Sequence, residues 1–155
     1  MPTNDVITPE QLIDHWQGHR RVTRRMIEAF PEKELFEFSV GGMRPFAVLA
    51  REMIGMAVPI ARGVASGAWT NDEHEPKTKT EILRLWDEST AELDRVWKTI
   101  PAHRFQEVDT AFGQWKGTGI WMIMYAIDNE VHHRGQGYVY LRALGIEPPA
   151  FYDRS

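Results

Sequence analysis

Cysteine is absent from the chain. That excludes disulfides, Cys-ligated zinc, iron–sulfur clusters and a catalytic thiol, so any metal site must be built from His, Asp, Glu, Asn or backbone oxygen. No apolar run approaches the roughly 18 residues of a membrane span, and the N-terminus lacks the pattern of a secretory signal. Both point to a cytoplasmic protein. A basic surplus is missing too: Lys+Arg 18 against Asp+Glu 22 leaves a net charge of -4, which argues against nucleic-acid binding. The phosphate loop, the dinucleotide fingerprint, the nucleophile elbow and the HExxH zinc motif are all wanting. Serine is scarce near histidine, so a hydrolytic triad has no support. What remains is an ordinary globular composition, 43% hydrophobic and 26% charged over 155 residues. It predicts one domain spanning residues 1–155.

Four helix-like segments, separated by Pro and Gly, make up that domain. The first runs from about Pro9 to Phe30, with Thr8 as cap and Gln11 placed for a capping box. Leu12, Trp16, Val22, Met26, Ile27 and Phe30 recur at helical spacing. Residues 32–42 read as a connector. A second helix starts near Arg44-Pro45 and continues to about Ser66, and Pro59 should kink it or end it early. Gly67 to Pro76 is polar and reads as an exposed loop. The third helix covers Lys79 to Ile100, capped by Thr78. His103 to Lys116 looks irregular, with a short extended piece at Phe105 to Val108. The fourth, from Thr118 to Leu144, ends at Gly145, where a C-terminal cap glycine belongs, and Pro148-Pro149 prevent its continuation. Gly135 and Gly137 each weaken it by about 1 kcal/mol relative to Ala, and a glycine there often admits a close neighbour. The expected fold is all-α, an antiparallel four-helix bundle.

The chemistry-bearing residues concentrate on the fourth helix, in Asp128-Asn129-Glu130-Val131-His132-His133-Arg134-Gly135-Gln136. Asn129 and His133 stand at i and i+4 and share a face, which continues to Met122 and Ala126 in one direction and to Gln136 and Tyr140 in the other. Buried there, they need partners, and a metal ion is one such partner. Equally, Asp128–His132 and Glu130–Arg134 can be plain surface pairs, and His133 a hydrogen-bonded core histidine. Glu52 falls among Leu49, Ala50, Met53 and Met56, where it requires a cation or several donors; otherwise it is an exposed neighbour of Arg51. His15 and His19 offer a second i,i+4 pair that could take a metal or could be ordinary polar residues. His74 and His103 read as solvated. Six Trp and seven Met fill core and pocket walls, with an aromatic binding cavity as the alternative.

The polar stretch from Asp128 to Gln136, followed by Tyr140-Leu141-Arg142 and Gly145-Ile146-Glu147-Pro148-Pro149, resembles the DinB family, also called DinB/YfiT-like. Met43-Arg44-Pro45-Phe46 is similar to the family as well. The resemblance implies a four-helix bundle, often a homodimer, with a divalent metal (Zn, Ni, Fe or Mn) at one side of the core. The family's usual ligands are three His, one on the second helix and two at i,i+4 on the last. Here His133 matches the later of that pair, Asn129 replaces the earlier one, and Glu52 stands at the second-helix position. Glu52, Asn129 and His133 would hold the ion, and His132, Gln136, Tyr140 and Glu130 would be supporting or pocket groups. The implied activity is a metal-dependent transferase or hydrolase acting on a small molecule with a low-molecular-weight thiol, no nucleic acid and no membrane being involved. The alternative is a non-catalytic dimeric binding or interaction protein with a degenerate metal site.

Overall fold

A computed structural model describes residues 6–155. Five α-helices carry the architecture: α1 (Pro9–Ala29), α2 (Glu32–Glu37), α3 (Phe46–Ser66), α4 (Lys79–Trp97) and α5 (Gly119–Ala143). A one-turn 3-10 helix (Ala102–Phe105) and a hairpin of β1 (Val108–Ala111) and β2 (Trp115–Thr118) lie between α4 and α5. The four long helices form the bundle. α1 packs against α4 and α5, and α3 packs against the same two. Antiparallel pairing shows in the contacts. Gln17 meets Asp94 and Arg24 meets Asp87 across α1 and α4, while Phe46 lies on Gly137 and Val64 on Gly119 across α3 and α5.

Local chemistry explains most helix ends. Thr8 and Thr78 each close a capping box, with Gln11 and Glu81 reaching back to the cap backbone. Gly145 has φ 74, and Ile146 N–H donates to Leu141 O at 2.9 Å while Gly145 N–H donates to Arg142 O at 3.0 Å. This left-handed glycine cap stops α5.

Three local expectations need correction. α3 does not end early at Pro59 but runs on to Ser66. Pro59 removes one backbone donor, and the buried neighbours Val58, Ile60 and Ala61 hold the helix across the gap. The connector after α1 contains α2, whose Leu35 is fully buried. The irregular stretch after α4 is an ordered hairpin starting at Val108, its register pairing Ala111 with Trp115. Its turn places Phe112 at φ 51 and Gly113 at φ 69. A left-handed phenylalanine costs on the order of 1–2 kcal/mol, so sequence alone gives little reason to expect one.

Two apolar clusters occupy the bundle's ends. One gathers Leu12, Trp16, Ala61, Leu93 and Ile123; the other gathers Met26, Phe46, Ile82, Trp86 and Tyr140. The polar residues of mid-α5 lie between them. Gly137 belongs to the second contact zone: a Cβ there would sit 2.6 Å from the Phe46 ring and 3.0 Å from Met26 Cε. Gly135 has nothing within 4 Å. Gly137→Val should therefore destabilise by about 1–3 kcal/mol, through overpacking. Gly135→Ala should stabilise by up to about 1 kcal/mol, through helix propensity. Urea unfolding of the two variants checks the contrast.

Candidate functional site

The centre of the site is the Glu52 carboxylate on α3. Its Oε1 accepts from Asn129 Nδ2 at 3.0 Å and lies 3.0 Å from His133 Nε2. Its Oε2 takes Arg44 Nη1 at 2.5 Å. The i,i+4 spacing of Asn129 and His133 aims both at α3, as the helical period requires. On the far side of the imidazole, His133 Nδ1 lies 2.7 Å from Gln136 Oε1, and the Gln136 amide turns its N–H toward Met43 Sδ. Gln136 thus accepts the Nδ1 proton and leaves Nε2 directed at Glu52. Tyr140 donates its hydroxyl to the Arg44 carbonyl at 2.8 Å, fixing the backbone from which Arg44 reaches Glu52. Burial pushes the half-buried Glu52 up, but the hydrogen bonds from Asn129 and Arg44, with the His133 ring beside Oε1, outweigh it and hold the carboxyl down at about 2.

The geometry distinguishes the remaining predicted residues. His132 is exposed and only flanks the His133 ring, with centroids 5.1 Å apart. Glu130 is turned away by the 100° that separates adjacent helix positions. It is 2% exposed, between α5 and α1, where Thr23 Oγ1 donates at 2.7 Å, Trp16 Nε1 at 3.3 Å, and Arg20 stands 3.9 Å away. Burial raises its pKa against the pull of Arg20. Neither Glu130 nor Arg134 is a surface group: Arg134 is buried too and donates to His19 O at 3.0 Å. Glu130 belongs to this second polar cluster, not to the Glu52 site. A sequence clue existed, since a carboxylate on the apolar α1-facing side needs donors such as Thr23 and Trp16.

His15 and His19 also meet, Nε2 to Nε2 at 3.2 Å. Arg134 Nη2 donates to His19 Nδ1 at 2.9 Å, so the His19 proton sits on Nε2 and no lone pair is free for a metal. Burial first, then Arg134, Arg154 and His15, lower the His19 pKa to about 3. His103 is exposed and His74 half-buried.

Beside Glu52 opens a cavity of about 340 Å³ between α3, the hairpin and the first turns of α5. Phe112, Trp115, Trp121, Met122 and Tyr125 form much of its wall. On the other side of Glu52 a polar groove runs past Arg44, Arg51 and the loop residues Asn71 to Glu75. The hairpin wall is tied to α3 by Arg104. That residue donates to Val64 O at 2.7 Å and Gly63 O at 3.2 Å, and pairs with Asp109 at 2.9 Å. Sequence reading placed Met122 on the face of Asn129 and His133 but not Phe112 and Trp115, because the hairpin that carries those two was not expected.

The model for the DinB family matches residues 1–155. The chain belongs to the DinB family. Among its relatives, the uncharacterized protein YjoA of Bacillus subtilis is 24% identical over 159 residues, covering 93% of this chain and 96% of the relative. The crystal structure of that DinB-like protein superposes with a TM-score of 0.76 at 19% identity, covering 91% of this chain and 97% of that one. A DinB-like protein from Bacillus cereus gives 0.76 at 16% identity, over 92% and 97% of the two chains. The mycothiol-dependent maleylpyruvate isomerase gives 0.65 at 13% identity, over 84% of this chain and 61% of that one. These structures confirm the DinB bundle fold. Among the described residues no helix is long and apolar enough to cross a membrane.

Two outcomes follow from the Glu130 cluster. Glu130→Leu leaves the buried Arg20 and Arg134 without a counter-charge, and should cost about 3–5 kcal/mol in urea unfolding. His19 stays neutral in the fold while the unfolded chain takes up a proton below about 6.5. Stability should therefore fall as pH drops from about 6.5 toward the folded value of about 3. His19→Gln, whose amide oxygen can still accept from Arg134, should flatten that fall in a pH series of thermal melts.

Proposed function

We propose that this DinB-family chain is a metal-dependent enzyme, a thiol-using transferase or a hydrolase, acting on a small molecule at the Glu52–Asn129–His133 site. The observation that carries the reading is the meeting of a carboxylate, an amide and an imidazole from α3 and α5 about one point. The residues fit a divalent ion in three respects. Asn129 Oδ1 is buried and has no hydrogen-bond partner among the described residues. Gln136 takes the Nδ1 side of His133, the usual outer support of a metal-bound imidazole. The 3.0 Å separation of Glu52 Oε1 from His133 Nε2 matches neighbouring ligands with bonds of roughly 2.0–2.2 Å. Arg44 occupies Oε2, so Glu52 would bind through Oε1 alone. Of Zn, Ni, Fe and Mn, two oxygen donors and one imidazole favour Fe or Mn.

When bound, such an ion lowers the pKa of a coordinated thiol or water and supplies a nucleophile near neutral pH. The chain's own groups set the stage for it. Glu52, held ionised, binds rather than relays a proton. Gln136 orients His133, and Tyr140 orients Arg44 through its carbonyl. The nucleophilic thiol has to come from a low-molecular-weight cosubstrate, because the chain has no cysteine. The likeness to a mycothiol-dependent isomerase supports that source. A cytoplasmic setting, where small thiols stay reduced, and a homodimer complete the reading. Val131 and Val139 on α5 are exposed and apolar, as a surface covered by a second copy would be.

One observation favours a second reading, a non-catalytic binding protein with a degenerate site. Asn129 donates its own N–H to Glu52, and Arg44 already balances the carboxylate, so the cluster satisfies Glu52 without a metal. Metal titration by calorimetry, with metal analysis of protein purified without chelator, separates the two. Mn²⁺ or Fe²⁺ should bind at one per chain. His133→Ala and Glu52→Ala should abolish binding, and Gln136→Ala should weaken it by about 10–100-fold. No binding by the intact chain would establish the degenerate-site reading.

A further inference from the structure

We propose that the substrate carries an uncharged aromatic body, seated between the hairpin and the start of α5, with its reacting end at Glu52. This deepens the reading above and rests on it for the chemistry. The aromatic seat stands on separate observations.

The cavity is the right size, since small-molecule sites run from roughly 300 to 1,000 Å³ and this one holds about 340 Å³. Its walls are aromatic and sulfur-bearing: Phe112 and Trp115 from the hairpin face Trp121, Met122 and Tyr125 from α5. Three of these aromatics are half-exposed, with Trp115 at 53%, Trp121 at 47% and Tyr125 at 52%. Large aromatic groups left open around a concave space are unlike core packing and mark a place where flat apolar surface is meant to be covered. Charge narrows the occupant further. Among the described residues that line the cavity, Glu52 alone is ionisable with a negative charge, and no Lys or Arg joins it. Arg44 and Arg51 open onto the polar groove instead. An anionic ring seated among these aromatics would have no Lys or Arg beside it, whereas a neutral one needs none.

The backbone points the same way. Phe112 is the one non-glycine residue with positive φ among those described. Its turn needs a left-handed residue there, which Gly or Asn would supply without strain. The phenylalanine instead sets its ring among Trp69 and Trp115, with centroids 5.5 and 6.2 Å away, and forms the cavity wall. Strain of this kind persists where the side chain has a use.

The test is calorimetric titration of the intact chain with 2-naphthol, 2-naphthalenesulfonate and decahydro-2-naphthol. The naphthol should bind one per chain with Kd below about 1 mM. The sulfonate and the saturated analogue should each bind at least about tenfold more weakly. Trp115→Ala and Trp121→Ala alter half-exposed side chains, and each should cost at least about tenfold in naphthol affinity with the thermal midpoint nearly unchanged. Phe112→Gly, which frees the turn, should lose affinity without unfolding. Equal or tighter binding of the sulfonate, indifference of the three variants, or no naphthol binding overturns the aromatic seat. Metal titration of the same preparations keeps the two proposals apart. Naphthol binding without metal binding upholds the seat and refutes the metal chemistry; metal binding without naphthol binding does the reverse.

Discussion

The middle of α5 has to bury polar side chains on two faces at once, and the arrangement of the bundle follows from that demand. Asn129 and His133 point toward α3, while Glu130 and Arg134, one position along, point toward α1. An unpaired buried polar group costs about 1–3 kcal/mol and an unpaired charge more, so each face needs its own complement. α3 provides Glu52, and α1 provides Trp16, His19, Arg20 and Thr23. The apolar clusters at either end supply most of the burial energy, but they are less particular about register than these hydrogen bonds.

The two polar clusters differ in what surrounds them. The α1 side is sealed: Arg20 and Glu130 are almost without exposure, and Arg20 Nη1, which makes no hydrogen bond, stands 3.9 Å from the Glu130 carboxylate. The α3 side is open. Glu52 is only half-buried, a cavity lies on one side of it and a polar groove on the other. A sealed network fits a structural task and an open one fits meeting a ligand. Residues outside the open cluster then act through position. Tyr140 holds the Arg44 backbone, and Arg104 ties the hairpin wall to the end of α3.

How much was readable beforehand varied with the range of the interaction. The capping boxes at Thr8 and Thr78 and the stop at Gly145 rest on contacts within six residues, and their residue types were visible in the chain. The pairing of Asn129 with His133 followed from the helical period alone. The opposition of Glu52 to that pair came from family resemblance, because nothing local links positions 77 or 81 residues apart. Pro59 misled because local rules omit the burial that holds a helix past a missing donor. The hairpin was hidden because its turn uses Phe112 where the usual signal is Asn or Gly.

By itself the sequence determined the four long helical segments, the caps at Thr8, Thr78 and Gly145, the lack of a protein thiol and the facing of Asn129 with His133, since these depend on residue type and a period of 3.6. Only the tertiary structure decided that Glu130 belongs to a sealed core, that His19 spends its free nitrogen on Arg134, and that an aromatic cavity opens at Glu52. Those outcomes depend on which helix stands beside which, and on a strained turn whose cost is met by packing elsewhere in the fold. No pattern confined to one segment carries that information.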